Sequence, residues 1–123
     1  MKPVKIVPKI CQDTKSETGE VIPSKIKGFI MVRPPNFDER YSYIEQAGFE
    51  FDDKGTISAN SKQLGSLRKM VALSKDHYQE VAIELEDGEK ITSFEGLKEY
   101  SSCDPILFEI ASLMMMGFSP SKK

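Results

Sequence analysis

One stretch restricts the fold of this chain more than any other: Asp104-Pro105-Ile106-Leu107-Phe108-Glu109-Ile110-Ala111-Ser112-Leu113-Met114-Met115-Met116-Gly117-Phe118. Its ends read as helix ends. Asp104 suits the N-cap, where a carboxylate accepts a hydrogen bond from a free N–H of the first turn. Pro105 suits the first helical position, where no N–H is needed. Gly117 can take the left-handed conformation that closes a helix, and Phe118 can fold back over the last turn. At about 100° per residue, Ile106, Leu107, Ile110, Ala111, Leu113 and Met114 form one wide apolar stripe. Phe108, Met115 and Met116 remain on the far side, with only Glu109 and Ser112 as polar company. A helix apolar nearly all round is buried or has a partner. At about 21 Å it is too short to cross a bilayer.

The rest of the chain must supply a core for that helix. Its 123 residues are expected to form one domain, 1–123, large enough to bury a core without staples. With 39% apolar and 29% charged residues the composition is that of a globular protein. Cys11 and Cys103 fit no CxxC pattern and are expected to be free thiols. The first residues hold no apolar run of signal-peptide length, and no transmembrane segment is expected. The net charge of −2 is uneven: residues 1–35 and 61–77 carry a basic excess, and the two remaining blocks an acidic one. Without an Arg-rich run or a basic pI, nucleic acid is not the expected partner.

Punctuation residues divide the chain. Val4, Ile6, Val7 and Ile10 alternate loosely between Pro3 and Pro8, as in an edge strand or extended arm. Residues 21–33 read as strand, dense at Phe29-Ile30-Met31-Val32, and a hairpin between 3–10 and 25–33 is expected, with 1–24 as a mobile arm. Pro34-Pro35 ends the strand. Asn36 and Glu39 form a capping-box arrangement ahead of a helix that closes at Gly48. On that helix Phe37, Tyr41, Ile44 and Ala47 share the expected core face. A second helix is expected from Asn60 or Ser61 to about Lys75, with Leu64, Leu67, Met70 and Val71 as its stripe, which Tyr78 extends if the helix persists that far. Val81, Ile83 and Leu85 alternate as a half-buried strand, and Asp87-Gly88 marks a hairpin turn returning through Lys90-Ile91-Thr92. Ser93 caps a short helix to Tyr100. Residues 119–123 read as a disordered tail. The expected class is α+β: a small helical domain of three main helices, with an N-terminal β-hairpin or arm and a second short hairpin. Whether the two hairpins share one sheet is left open by the pattern.

Catalytic chemistry finds little footing. The one histidine, His77, lies where a helix end would make it a dipole contact, although any Ser–His or Cys–His mechanism would need it. Glu50, Asp52 and Asp53 lack the alternate spacing of a calcium loop and read as a solvated turn. Glu84, Glu86, Asp87 and Glu89 surround a hairpin, where acids ordinarily guard an edge. No phosphate-cradling, dinucleotide, zinc-protease or nucleophile-elbow motif occurs, so neither enzyme activity nor a cofactor or metal is expected. Lys62, Arg68, Lys69 and Lys75, with Lys25, Lys27 and Arg33, offer a weak foothold for a nucleic-acid-binding regulator. Protein binding is the stronger reading. Methionine is flexible and polarisable and suits surfaces that accept varied partners. The expected binding residues are Phe108, Met115, Met116 and Phe118. The inner stripe of the last helix is assigned to the core.

The order of blocks over residues 25–118 resembles the tail assembly chaperones of long-tailed phages and prophages. The resemblance is carried by Lys27-Gly28-Phe29 entering a strand and by Pro34-Pro35-Asn36-Phe37-Asp38-Glu39-Arg40-Tyr41 entering a helix. It continues through Leu67-Arg68-Lys69-Met70-Val71, the strand from Val81 to Leu85, Asp87-Gly88 and Ser93-Phe94-Glu95-Gly96-Leu97. It ends with Cys103-Asp104-Pro105-Ile106-Leu107-Phe108-Glu109-Ile110-Ala111. The resemblance implies a non-enzymatic protein of the host cytoplasm that keeps the hydrophobic tape-measure protein soluble and helps recruit the major tail protein. Homo-oligomers are compatible with that role. A structural tail or connector subunit of the virion is the alternative within the same setting.

Overall fold

A computed structural model describes residues 2–49 and 63–117. Its strands are β1 (Val4–Ile6), β2 (Thr14–Lys15), β3 (Val21–Ile22), β4 (Lys27–Val32), β5 (Tyr78–Glu84) and β6 (Lys90–Ile91). Its α-helices are α1 (Phe37–Ala47), α2 (Gln63–Leu73), α3 (Phe94–Lys98) and α4 (Asp104–Met116). The fold is α+β, as the pattern of the chain leads one to expect.

One antiparallel sheet, ordered β1-β4-β5-β6, joins both expected hairpins. Strand β1 pairs with β4 with Val4 opposite Val32 and Ile6 opposite Ile30. Residues 21–33 are not one strand. Val21 and Ile22 pair back onto Thr14 and Lys15 in a separate two-stranded ribbon, and the main strand starts only at Lys27. Pro23 divides the two, because it has no N–H for a ladder. Period-two burial is clean on the central strands. Ile30 and Val32 of β4 and Val81 and Ile83 of β5 face the core, whereas Glu80 and Glu84 face solvent. Helices cover the buried face. α2 packs on α4 and α1, and α3 packs on α4. The core adds Ile44, Met70, Leu97, Ile106, Ile110 and Met114 from these helices. Helices on one face of an antiparallel sheet are a stable two-layer solution.

The predicted caps of α1 form. Asn36 accepts from the Glu39 N–H at 2.8 Å, and Glu39 accepts from the Asn36 N–H at 3.0 Å. Gly48 closes the helix at φ 81°, a left-handed conformation that a side chain would disfavour. Glu39 also pairs with Arg33 at 3.2 Å. The Arg33 hydrogen bond, helped by the Asn36 N–H, holds its carboxyl below the ordinary 4.5. A depressed folded value means that this stabilisation is fully present above the unfolded value and fades as pH falls through the folded one. Glu39→Gln should therefore flatten the acid limb of a stability–pH curve below about pH 4.5, read as urea midpoints at each pH.

Two expectations about α2 and α4 are corrected. Helix α2 stops at Leu73, and Lys75–His77 form a 3-10 turn, so Tyr78 begins a strand and does not extend a helical stripe. The Ser74 hydroxyl donates to the Val71 carbonyl at 2.7 Å and takes up a free acceptor of the last turn. Asp104 is already helical, at φ −52° and ψ −43°, and its side chain caps nothing. Residues Ser101–Cys103 wind into a 3-10 turn that runs directly into α4, so the helix needs no separate cap residue. Gly117 does have positive φ (88°), but with ψ 157° it leaves the helix in an extended direction. Residues 50–62 and 118–123 lie outside the described residues. With them lie the start expected for α2, the acidic turn, the tail and Phe118.

The N-terminal segment touches the helical layer. The Lys9 N–H donates to Glu109 Oε1 at 2.9 Å, and Pro8 and Cys11 are buried. Cys11 and Cys103 are both free and buried. Burial, with Cys103 and then Glu109 nearby, pushes the Cys11 thiol up to about 11. Such a thiol is inert at neutral pH.

Candidate protein-binding surface

Helix α4 sorts its apolar residues in three ways. Ile106, Leu107, Ile110, Ala111 and Met114 are buried, and they form the inner stripe assigned to the core. Phe108, Leu113 and Met115 are half-buried against it. Met116 lies in solvent with 74% of its surface exposed. Among the expected binding residues that are described, then, Met116 is exposed, and Phe108 and Met115 present one side outward. The reason is geometric. Phe108 and Met115 are seven residues apart, about 20° out of line, whereas Met116 is turned about 80° from Phe108 and about 100° from Met115.

Phe108 does not stand alone. It lines an open trough of about 630 Å³ between α2, α3 and the first turns of α4. Val71, Ala72 and Leu107 supply the rest of an apolar floor. Among the described residues, Arg68, Lys69 and Lys98 line the trough with one acid, Asp104. Lys98 is steadied by the Phe94 ring, 5.8 Å from its ammonium. The basic residues grouped by sequence are thus divided. Arg68 and Lys69 line the trough. Lys75 pairs with Glu95 at 2.7 Å, Arg33 pairs with Glu39, and Lys62 is outside the described residues. The 3-10 turn after α2 carries Lys75 toward α3.

No family model, curated protein or solved structure matches the chain.

A second apolar surface lies on α1, and it overturns the face expected there. Ile44 and Ala47 are buried, but Phe37 is 66% exposed and Tyr41 42% exposed. Their rings stack at 4.7 Å. Arg40 lies over the Tyr41 ring at 5.4 Å, and its Nη1 comes close to Gly117, which brings the end of α4 beside α1. The helix is rotated because Tyr43 turns inward. Its hydroxyl bonds His77 Nε2 at 2.7 Å. His77 is fully buried, and its Nδ1 bonds the Arg33 carbonyl at 2.7 Å. A carbonyl only accepts, so Nδ1 carries a proton; the Arg33 guanidinium, which only donates, lies 3.4 Å from Nε2, so Nε2 accepts, from Tyr43 as well. Both ring nitrogens are therefore used in tying α1, the end of β4 and the start of β5 together. This corrects the reading of His77 as a dipole contact at a helix end. No substrate could reach its ring without displacing Tyr43.

Among the described residues no group of three His, Cys, Asp or Glu is placed to hold a metal ion, and no helix is long and apolar enough to cross a membrane. Glu84 and Glu89 flank an ordinary hairpin, with the Gly88 N–H donating to the Leu85 carbonyl at 2.9 Å.

Proposed function

We propose that this chain is a tail assembly chaperone. It binds the apolar, helical tape-measure protein, keeps it soluble and helps bring the major tail protein to it. The reading rests on the block order over residues 25–118 and is supported by one structural observation. Helix α4 carries more apolar surface than its own core covers, ending in Met116 in solvent beside half-buried Met115. An amphipathic client helix laid along that surface would bury it. Flexible methionines suit a client whose sequence varies along its length. Many small contacts also permit release, which an assembly factor needs.

The test is co-expression with a tape-measure protein of a long-tailed phage, followed by measurement of the soluble client fraction. Burying a methionine fully is worth about 1.5–3 kcal/mol, so Met116→Lys is expected to weaken client binding about tenfold or more. Met116 is exposed, so this variant should unfold at the same urea concentration as the wild type. Met115→Glu should act in the same direction. A wild-type chain that leaves the client in the pellet, or a folded Met116→Lys and Met115→Glu double variant that still keeps it soluble, would remove this reading.

A further inference from the structure

The chain carries two cysteines and six methionines, and the fold presents their sulfur atoms to solvent very unequally. A thiol is ordinarily the first target of an oxidant, through its thiolate. Here both thiols are withdrawn. Cys11 and Cys103 are free but buried, and that burial is the largest cause raising both above the ordinary thiol range. The described methionines are graded. Met70 and Met114 have no exposed surface, Met31 and Met115 are half-buried, and Met116 is 74% exposed at the last position of α4. Three adjacent methionines thus have three different exposures, because each residue turns the helix by about 100°.

We infer that Met116 is a reversible oxidation site, and that its sulfoxide loosens the hold of α4 on an apolar client. The second half rests on the chaperone reading. The oxidant is a peroxide. The Met116 thioether sulfur attacks one oxygen of hydrogen peroxide, an S–O bond forms and the O–O bond breaks. The other oxygen leaves as water after proton transfer, and the electron pair that sulfur gives up is the pair that peroxide gains. A methionine sulfoxide reductase reverses the step. A pair of thiols becomes a disulfide, and the sulfoxide oxygen leaves as water. The thiols belong to the reductase and its donor, because Cys11 and Cys103 are out of reach of the end of α4 for such an exchange while they stay buried. The change is small in the fold and large at the surface. Met116 lies in solvent, so its sulfoxide puts no polar atom into the core. Against a client helix, the same oxygen is a strong acceptor facing apolar side chains, and burying it without a donor is unfavourable. Met115 packs against the core and is correspondingly protected. A bound client covers Met116, so oxidation acts on the free chain and spares the loaded one.

Hydrogen peroxide titration of the full chain, with sulfoxides located by tandem mass spectrometry, tests the first half. Met116 is expected to convert at least about tenfold faster than Met70 or Met114, and ahead of Met31 and Met115, with both thiols still titrating as free. The urea midpoint should not move when Met116 alone is converted. Conversion of another described methionine first, loss of a thiol before Met116 reacts, or a fallen urea midpoint overturns the inference. The second half is read by diluting a long-tailed phage tape-measure protein from urea into the chain and measuring the fraction that stays soluble. Oxidation of Met116 is expected to weaken client binding about tenfold or more, and reductase treatment to restore it. In Met116→Leu, client retention should not respond to that peroxide dose, whatever its starting level. Equal retention before and after oxidation, no recovery after the reductase, or the same response in Met116→Leu overturns the switch. Untreated chain that leaves the client in the pellet would strike the chaperone reading and the switch together, so the sample without peroxide tells the two failures apart.

Discussion

Gly28→Ala is expected to leave little or no cooperatively folded protein. Gly28 sits in the middle of the sheet, opposite Ile83, with φ at 127°. A backbone there disfavours any side chain by about 1–3 kcal/mol. Space is the larger problem. An added Cβ would lie 1.8 Å from the Ala82 carbonyl oxygen and 2.9 Å from the Ile83 Cα. Those are backbone atoms of the neighbouring strand, and they cannot swing aside as a side chain can. Relieving the overlap means separating β4 from β5, the pair that carries Ile30, Val32, Val81 and Ile83 into the core. Forced overpacking adds about 1–3 kcal/mol or more. Together these come to about 2–6 kcal/mol or more, which reaches the lower end of the stability of an ordinary domain, about 5–15 kcal/mol. Urea unfolding followed by circular dichroism would read the loss directly. Gly65→Ala is the matched control. Gly65 lies in α2, and an added Cβ there would meet nothing within 4 Å, so alanine should raise stability by about 0.5–1 kcal/mol. A Gly28→Ala variant that unfolds at the wild-type urea concentration would show that the strands do not approach this closely.

His77→Ala should lower stability by about 3–5 kcal/mol. The loss combines a cavity with the stranding of two polar groups, each worth about 1–3 kcal/mol when left unpaired. Those groups are the Arg33 carbonyl and the Tyr43 hydroxyl, both bonded to the imidazole at 2.7 Å. Tyr43 is half-buried and can recover part of its share from water. Two milder variants divide the effect. His77→Asn retains a donor near the Nδ1 position and gives up the Tyr43 bond. Tyr43→Phe gives up the same bond from the other side. If the tie between α1 and β5 is real, the Asn and Phe changes should be non-additive by about 0.5–3 kcal/mol in a double-mutant cycle on urea unfolding. Full additivity would mean that the two side chains do not act on each other. The same pair sets the rotation of α1.

The candidate surfaces differ in how far the linear chain exposes them. Met116 was legible because it follows two methionines past the end of a complete apolar stripe. Phe108 was legible as a leftover of that stripe, but its place in a cationic trough was not. Arg68 and Lys69 precede Lys98 by about thirty residues, and the hairpin and α3 must fold before they line one opening. Phe37 and Tyr41 were misplaced for a related reason. Spacing of four residues assigns them a common face, but it does not say which face turns inward. That choice fell to Tyr43, because a buried histidine from a distant turn offers its hydroxyl a partner.

Local chemistry in the sequence determined where the elements begin and end. Pro34-Pro35, the Asn36–Glu39 box, Gly48, Asp87-Gly88 and Ser93 act within a few residues of themselves, so their effects survive without knowledge of the fold. Periodicity determined the inner stripe of α4 and the inward residues of β5 by the same logic. Only the tertiary structure decided that β1, β4, β5 and β6 form one sheet, that residues 21–22 leave the main strand, and that α2 gives way before His77. Each of those outcomes depends on partners far along the chain. So does the close crossing at Gly28, where a carbonyl from Ala82 occupies the space that any other residue would need.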